Sequence, residues 1–127
     1  MHVSHALVEK VAERVDLRGG ATVFYQRLLR DWSGKERIRS ERLRAIYTAL
    51  NCHGLRCYPR DPICGEDWPI LIYRTELANA QFDRLGPAAR ASLKTAVDIL
   101  SLPYSHSKVW ELRDALLEIN GVKKKAA

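Results

Sequence analysis

Residues 32–59, "WSGKERIRSERLRAIYTALNCHGLRCYP", decide the fold because they begin with the pattern of a helix and end with that of a strand. Ser33 and Glu36 match the S-x-x-E capping box, which predicts a helix that begins near residue 34. The apolar residues of this helix lie mostly in its second half. Gly54 is expected to end it, because glycine commonly follows the last helical turn.

Two short apolar and aromatic segments follow the helix, "LRCY" at residues 55–58 and "WPILIYR" at residues 68–74. Both have the composition of strands. The segment between them, "PRDPICGED", is rich in Pro, Asp and Gly and is typical of a turn or a longer loop. The sequence therefore predicts a two-stranded hairpin at about 55–74.

Helical periodicity predicts further helices on both sides of the hairpin. Before it, helices are expected over residues 4–16 and 21–32, separated by Gly19-Gly20, with Phe24, Leu28 and Trp32 buried by the second. After it, we expect a short helix over 75–85, a helix from Pro87 to Pro103, and a last one capped by Ser105 or Ser107 and ended by Asn120-Gly121.

The predicted fold class is mainly α with a small β-hairpin: three helices, the hairpin, then two or three helices. A single domain is expected over 1–121, followed by a disordered basic tail at 122–127. The order of the first five elements is that of a winged helix-turn-helix, in which the third helix reads the nucleic acid and the hairpin is the wing. A strict helix-turn-helix register with Gly34 at the turn fails, because it places Arg30 and Lys35 at small and apolar positions. The analogy therefore rests on element order and a looser turn.

Positive charge is concentrated in one third of the chain. The protein has a net charge of +6, but residues 18–60 contain ten basic and three acidic residues, a local net charge of +7. The three lysines near the C-terminus add further positive charge, while the rest of the chain is acidic. Such asymmetry predicts a basic face and a polyanionic partner.

The predicted nucleic-acid site combines the third helix with the hairpin. Lys35, Arg39 and Arg42 follow spacings of four and three, so they are expected to share one exposed face, flanked by Arg37 and Arg44. Guanidinium groups bind phosphates and the O6 and N7 atoms of guanine. On the hairpin, basic side chains are expected to reach the adjacent backbone (Arg56, Arg60), and two aromatic side chains either stack on bases or pack against helices (Tyr58, Tyr73).

A solvated face is the alternative for the basic helix, but Glu36 and Glu41 are too few to neutralise six bases that include Arg30.

Cys52, His53, Cys57 and Cys64 are all competent zinc ligands, yet their spacing contains no C-x2-C pair. We therefore expect structural thiols, no bound metal and no cofactor. The sequence contains no P-loop, G-x-G-x-x-G, H-E-x-x-H or nucleophile elbow, which argues against an enzyme.

Two functions from different classes follow. The first is a small non-catalytic nucleic-acid-binding protein that regulates a gene or coats a DNA or RNA strand. The alternative is a protein-interaction module, either a small subunit of a nucleoprotein complex or an inhibitor from a mobile element or phage that docks on such machinery. With no long apolar run, no signal peptide pattern and three cysteines, a cytoplasmic location without a membrane partner is expected.

Overall fold

The computed structural model describes residues 3–34, 39–63, 65, 67–78, 87–101 and 104–120. Within these ranges the chain forms five α-helices, three β-strands and one 3₁₀ turn. In chain order they are α1 (His5–Leu17), β1 (Ala21–Tyr25), α2 (Gln26–Ser33), α3 (Ser40–Cys52), β2 (Leu55–Tyr58), β3 (Pro69–Arg74), the 3₁₀ turn (Thr75–Ala78), α4 (Pro87–Ser101) and α5 (His106–Ile119). The predicted fold class, mainly helical with a small β-hairpin, is confirmed.

The prediction of a helix over residues 21–32 is wrong in its first half. Residues 21–25 form β1, and only Gln26–Ser33 is helical. β1 contains the β-branched and aromatic residues that favour strands, and it pairs antiparallel with β3 so that Phe24 lies opposite Ile70. Phe24 is buried, as predicted, but it reaches the core from a strand.

The predicted capping box at Ser33 is also wrong. Ser33 is the last residue of α2, and its hydroxyl donates a hydrogen bond to the Arg30 carbonyl at 2.8 Å. Gly34 then ends α2 with a left-handed backbone (φ 71°), a conformation that glycine adopts without a steric penalty. α3 begins at Ser40 and not near 34, whereas Glu36 lies outside the described residues.

β3 is the centre of the molecule. It pairs antiparallel with β1 on one side and β2 on the other, giving the strand order β1–β3–β2. Its successive side chains point to opposite faces of the sheet. Ile70 and Ile72 pack with α1, α2 and α3 in a first core, and Leu71 and Tyr73 pack with α4 and α5 in a second.

The C-terminal helices lie close to their predicted positions. α4 begins at Pro87, and Ser105 occupies the position before α5, although its side chain makes no capping hydrogen bond. The two helices pack against each other and cover the second face of the sheet. The predicted helix end at Leu85, the stop at Pro103 and the tail at 122–127 lie outside the described residues.

Candidate nucleic-acid interface

The structure describes five of the seven basic residues predicted to bind nucleic acid. Arg42 and Arg44 lie in the first half of α3, Arg56 lies on β2 and Arg60 follows that strand. Arg39 immediately precedes α3. The other two, Lys35 and Arg37, lie outside the described residues.

The prediction that Arg39 and Arg42 share one exposed helical face is wrong. Arg39 has an extended backbone (φ −91°, ψ 166°) and is not part of the helix, so helical spacing does not apply to it. Arg42 is half-buried, its Nε atom is inaccessible to solvent and its side chain has internal interactions. Arg44 is exposed on the other edge of α3, because residues two apart on a helix point in directions about 200° apart.

A different stripe of α3 faces the hairpin. Arg44, Tyr47 and Asn51 follow spacings of three and four, so they lie on one face of the helix. Tyr47 and Asn51 line a groove of about 830 Å³ that runs along β2, the loop after it and the ends of β3 and α4. We call this the β2 groove. Arg56 and Arg60 lie on its β2 side, and Tyr104, just before α5, forms another wall.

Several arginines of the chain are neutralised internally, and these are not the arginines around the β2 groove. Arg74 binds Asp16 through two hydrogen bonds of 2.8 and 2.7 Å, and ion pairs also join Arg27 to Asp67, Arg30 to Asp31 and Arg113 to Asp114. By contrast, six exposed arginines have side chains that make no hydrogen bond or ion pair with any described residue: Arg14, Arg18, Arg39, Arg44, Arg56 and Arg60. Four of the six, Arg39, Arg44, Arg56 and Arg60, lie at α3 or on the β2 side of the molecule, whereas Arg14 and Arg18 lie at the end of α1.

The hairpin tyrosines were expected either to stack on bases or to pack against helices, and the structure shows that they pack. Tyr58 and Tyr73 belong to the second core and are only 4% and 7% exposed. Burial raises the pKa of both phenols, and Glu111 raises that of Tyr58 further. Both residues still line the β2 groove, although neither ring is exposed enough to offer an open stacking face.

Tyr104 is an aromatic residue of the β2 groove that was not predicted from the sequence. Its hydroxyl donates a hydrogen bond to the Pro69 carbonyl at 3.0 Å, and its ring stacks on Trp68 at a centroid distance of 5.9 Å. Burial raises the pKa of Tyr104 to about 12, so the phenol is neutral at physiological pH. Asn51 was also missed, although its spacing of four from Tyr47 was a signal that the two share a face. No local signal links Tyr104 to the hairpin, since the contact depends on how α5 packs.

The cysteines give no support for a metal centre. Cys52 is exposed at the end of α3, whereas Cys57 is packed against the first core. Burial raises the pKa of the Cys57 thiol well above its usual value, so it stays protonated and is a poor nucleophile or metal ligand. In the described part of the chain, no three His, Cys, Asp or Glu side chains are grouped so as to hold a metal ion. Cys64 lies outside that part.

No family model, curated protein or solved structure matches this chain. None of the helices in the described ranges is both long enough and apolar enough to cross a membrane. The charges and geometry around the β2 groove are therefore the features that bear on function.

Proposed function

We propose that the protein is a small, non-catalytic nucleic-acid-binding protein that holds the phosphate backbone with the arginines around the β2 groove. The observation that carries this proposal is the presence, at α3 and on the β2 side, of four exposed arginines whose side chains have no acidic partner among the described residues, Arg39, Arg44, Arg56 and Arg60. An exposed guanidinium that no carboxylate neutralises is available to bind phosphate, and binding releases the condensed counterions of the nucleic acid.

The positions of these arginines support a backbone contact from two directions. Arg44 lies on α3, one turn before Tyr47, while Arg56 and Arg60 belong to β2 and the loop after it. A strand that passes along the groove is therefore within reach of cations from both elements. The order of α2, α3, β2 and β3 also resembles that of a winged helix-turn-helix, whose third helix and wing contact the nucleic acid.

The test removes two positive charges at a time. Arg56→Ala with Arg60→Ala should weaken binding of a labelled oligonucleotide and flatten the log–log salt slope by about one unit for each lost phosphate contact. Arg90→Ala with Lys94→Ala on α4 is the matched control, because it removes the same charge from two exposed positions that do not line the groove. Fluorescence anisotropy at two salt concentrations, with single-stranded and duplex DNA and RNA, measures both effects.

Equal losses from the two double variants would contradict a dedicated face and indicate diffuse attraction. If the parent protein bound neither DNA nor RNA, the proposal would be wrong. A stoichiometric protein partner held with weak salt dependence would then favour the interaction-module alternative.

A further inference from the structure

We propose that the β2 groove binds an unpaired nucleotide within a single strand, an inference that rests on the proposed function and adds the class of nucleic acid. Its starting point is a set of polar groups along the groove that have no internal partner. Asn51, Arg56, Arg60 and Tyr73 line the groove. Their side-chain polar groups (one amide, two guanidiniums and one hydroxyl) make no hydrogen bond with any described side chain or backbone group.

Other polar groups of the same groove are satisfied internally. The Thr75 hydroxyl donates to the Gly54 carbonyl at 3.0 Å, and the Tyr104 hydroxyl donates to the Pro69 carbonyl at the same distance. Asn51, Arg56 and Arg60 are exposed and available to a ligand, whereas Tyr73 is only 7% exposed, and a polar group so shielded from solvent is normally paired. Tyr58, 4% exposed, also lines the groove, and its buried hydroxyl has no partner in the described part of the chain.

The chemistry of the unpaired groups matches one nucleotide. An amide and a hydroxyl each donate and accept, so together they fit the mixed donor and acceptor edge of a base. Two guanidiniums fit the phosphate that joins that nucleotide to its neighbour. The only acidic residue that lines the described groove is Asp61, so the lining keeps a net positive charge.

Tyr104 supplies a rigid aromatic wall. Its ring is fixed by the hydrogen bond to Pro69, by Trp68 on which it stacks, and by Tyr58 at a centroid distance of 5.7 Å. A ring held in this way can contact the face or edge of a base without losing side-chain entropy, and such contacts are tolerant of sequence.

The concave shape favours a single strand over a duplex. A volume of about 830 Å³ lies within the range of roughly 300–1,000 Å³ that small-molecule sites occupy, which suits one nucleotide. In a duplex the base edges lie inside grooves and are read by a protruding helix or ribbon, whereas an unpaired base is free to enter a cavity.

The experiment removes hydrogen-bonding atoms while retaining charge. Tyr73→Phe loses only the hydroxyl, and Asn51→Ala loses the amide from an exposed position of α3. Each variant should weaken binding of a labelled twelve-nucleotide single strand by about three- to tenfold, the effect of one hydrogen bond, and leave a duplex of the same sequence unchanged within about twofold. The matched controls are Tyr25→Phe on the opposite edge strand and Thr48→Ala on α3, neither of which lines the groove. Neither control should change either affinity.

Unchanged single-strand binding in both groove variants, or an equal loss for the duplex, would overturn the inference while leaving the proposed function intact. A free nucleoside monophosphate that bound as tightly as the strand would also overturn it, because the groove would then be a site for a free nucleotide. If the parent protein bound no nucleic acid at all, both this inference and the proposed function would be wrong.

Discussion

Arg74 shows how one basic residue serves the fold and is unavailable to a partner. Its guanidinium binds Asp16 at the end of α1 and donates to the His53 carbonyl after α3 at 3.2 Å. Its backbone amide donates to the Gly20 carbonyl at 2.8 Å. One residue of β3 thus joins the end of α1, the turn before β1 and the end of α3, and the Asp16 carboxylate is the acidic partner in this arrangement.

Asp16→Asn should therefore destabilise the protein in a pH-dependent way. The Arg74 guanidinium lowers the pKa of Asp16 from its usual value of 3.8, so the pair stabilises the fold above that pH. Because the side chains are partly exposed, we expect a loss of at most about 1 kcal/mol in the free energy of unfolding at pH 7. The difference should disappear as the pH falls below 3.8 and through the lowered folded pKa.

Urea unfolding of parent and variant at several pH values measures this difference. Asp31→Asn is the control, because Asp31 is similarly exposed but contacts Arg30 through a single longer distance of 3.3 Å. A penalty for Asp16→Asn that persisted unchanged at pH 2 would contradict the electrostatic origin.

At the residue scale, part of the candidate site was predictable from the sequence. The concentration of arginine before residue 60 was visible from composition, and so was the excess over the acids nearby. Which arginines stay available was not visible, because the carboxylates that neutralise Arg27 and Arg74 lie far away in the sequence, at Asp67 and Asp16. Pairing over such distances is decided by tertiary packing and carries no local pattern.

At the scale of elements, the two edges of α3 differ in what their arginines do. Arg42 lies half-buried on one edge, with its Nε atom inaccessible to solvent, and Arg44 lies exposed on the other. The buried stripe between them consists of Leu43, Ile46, Tyr47 and Leu50. One helix therefore presents one arginine to the protein and the other to solvent.

Arg42→Ala and Arg44→Ala should separate stability from binding. Arg42→Ala removes packed methylene groups and internal interactions, so the free energy of unfolding should fall by about 1 kcal/mol. Arg44→Ala should leave stability within about 0.5 kcal/mol of the parent and weaken nucleic-acid binding. Urea unfolding and anisotropy titrations on the same two proteins make the comparison, and a destabilised Arg44→Ala with a fully stable Arg42→Ala would contradict the assignment of the edges.

Two errors at this scale have physical reasons. Residues 21–25 carry apolar side chains that fit a helical or a strand pattern. They form a strand because they pair with β3. The S-x-x-E pattern at Ser33 was misleading because the Gly34 backbone, in the left-handed region, ends a helix at the same place. The hairpin strands and α4 were predictable, since turn residues and Pro87 bound them clearly.

For the whole molecule, β3 joins two cores that lie on opposite faces of one sheet. Leu71 and Ile72 are neighbours in sequence, both fully buried, and belong to different cores. Neither core is covered without this strand, so both should depend on it to a similar extent.

Leu71→Ala and Ile72→Ala should each lower the free energy of unfolding by about 2–5 kcal/mol, because each opens a cavity beside β3. Val97→Ala on the exposed side of α4, where Val97 is 56% exposed, is the surface control and should change it by less than about 0.5 kcal/mol. Urea unfolding followed by circular dichroism and by tryptophan fluorescence measures stability and cooperativity together. Separate transitions for the two probes would mean that unfolding is not two-state and would contradict the dependence of both cores on one strand.

The central position of β3 also has a consequence during synthesis on the ribosome. β1 and β2 pair only with β3 among the described strands, and β3 is the last of the three to be made. At about 5–20 residues per second, β1 leaves the ribosome on the order of seconds before the strand that it pairs with. Until β3 is made, the apolar residues of α1, α2 and α3 that pack with Ile70 and Ile72 lack that part of their core, and transiently exposed apolar surface is prone to aggregation. Residues 69–74 then supply the pairing partner of both β1 and β2, so neither edge strand has a sheet to join before the last strand is made.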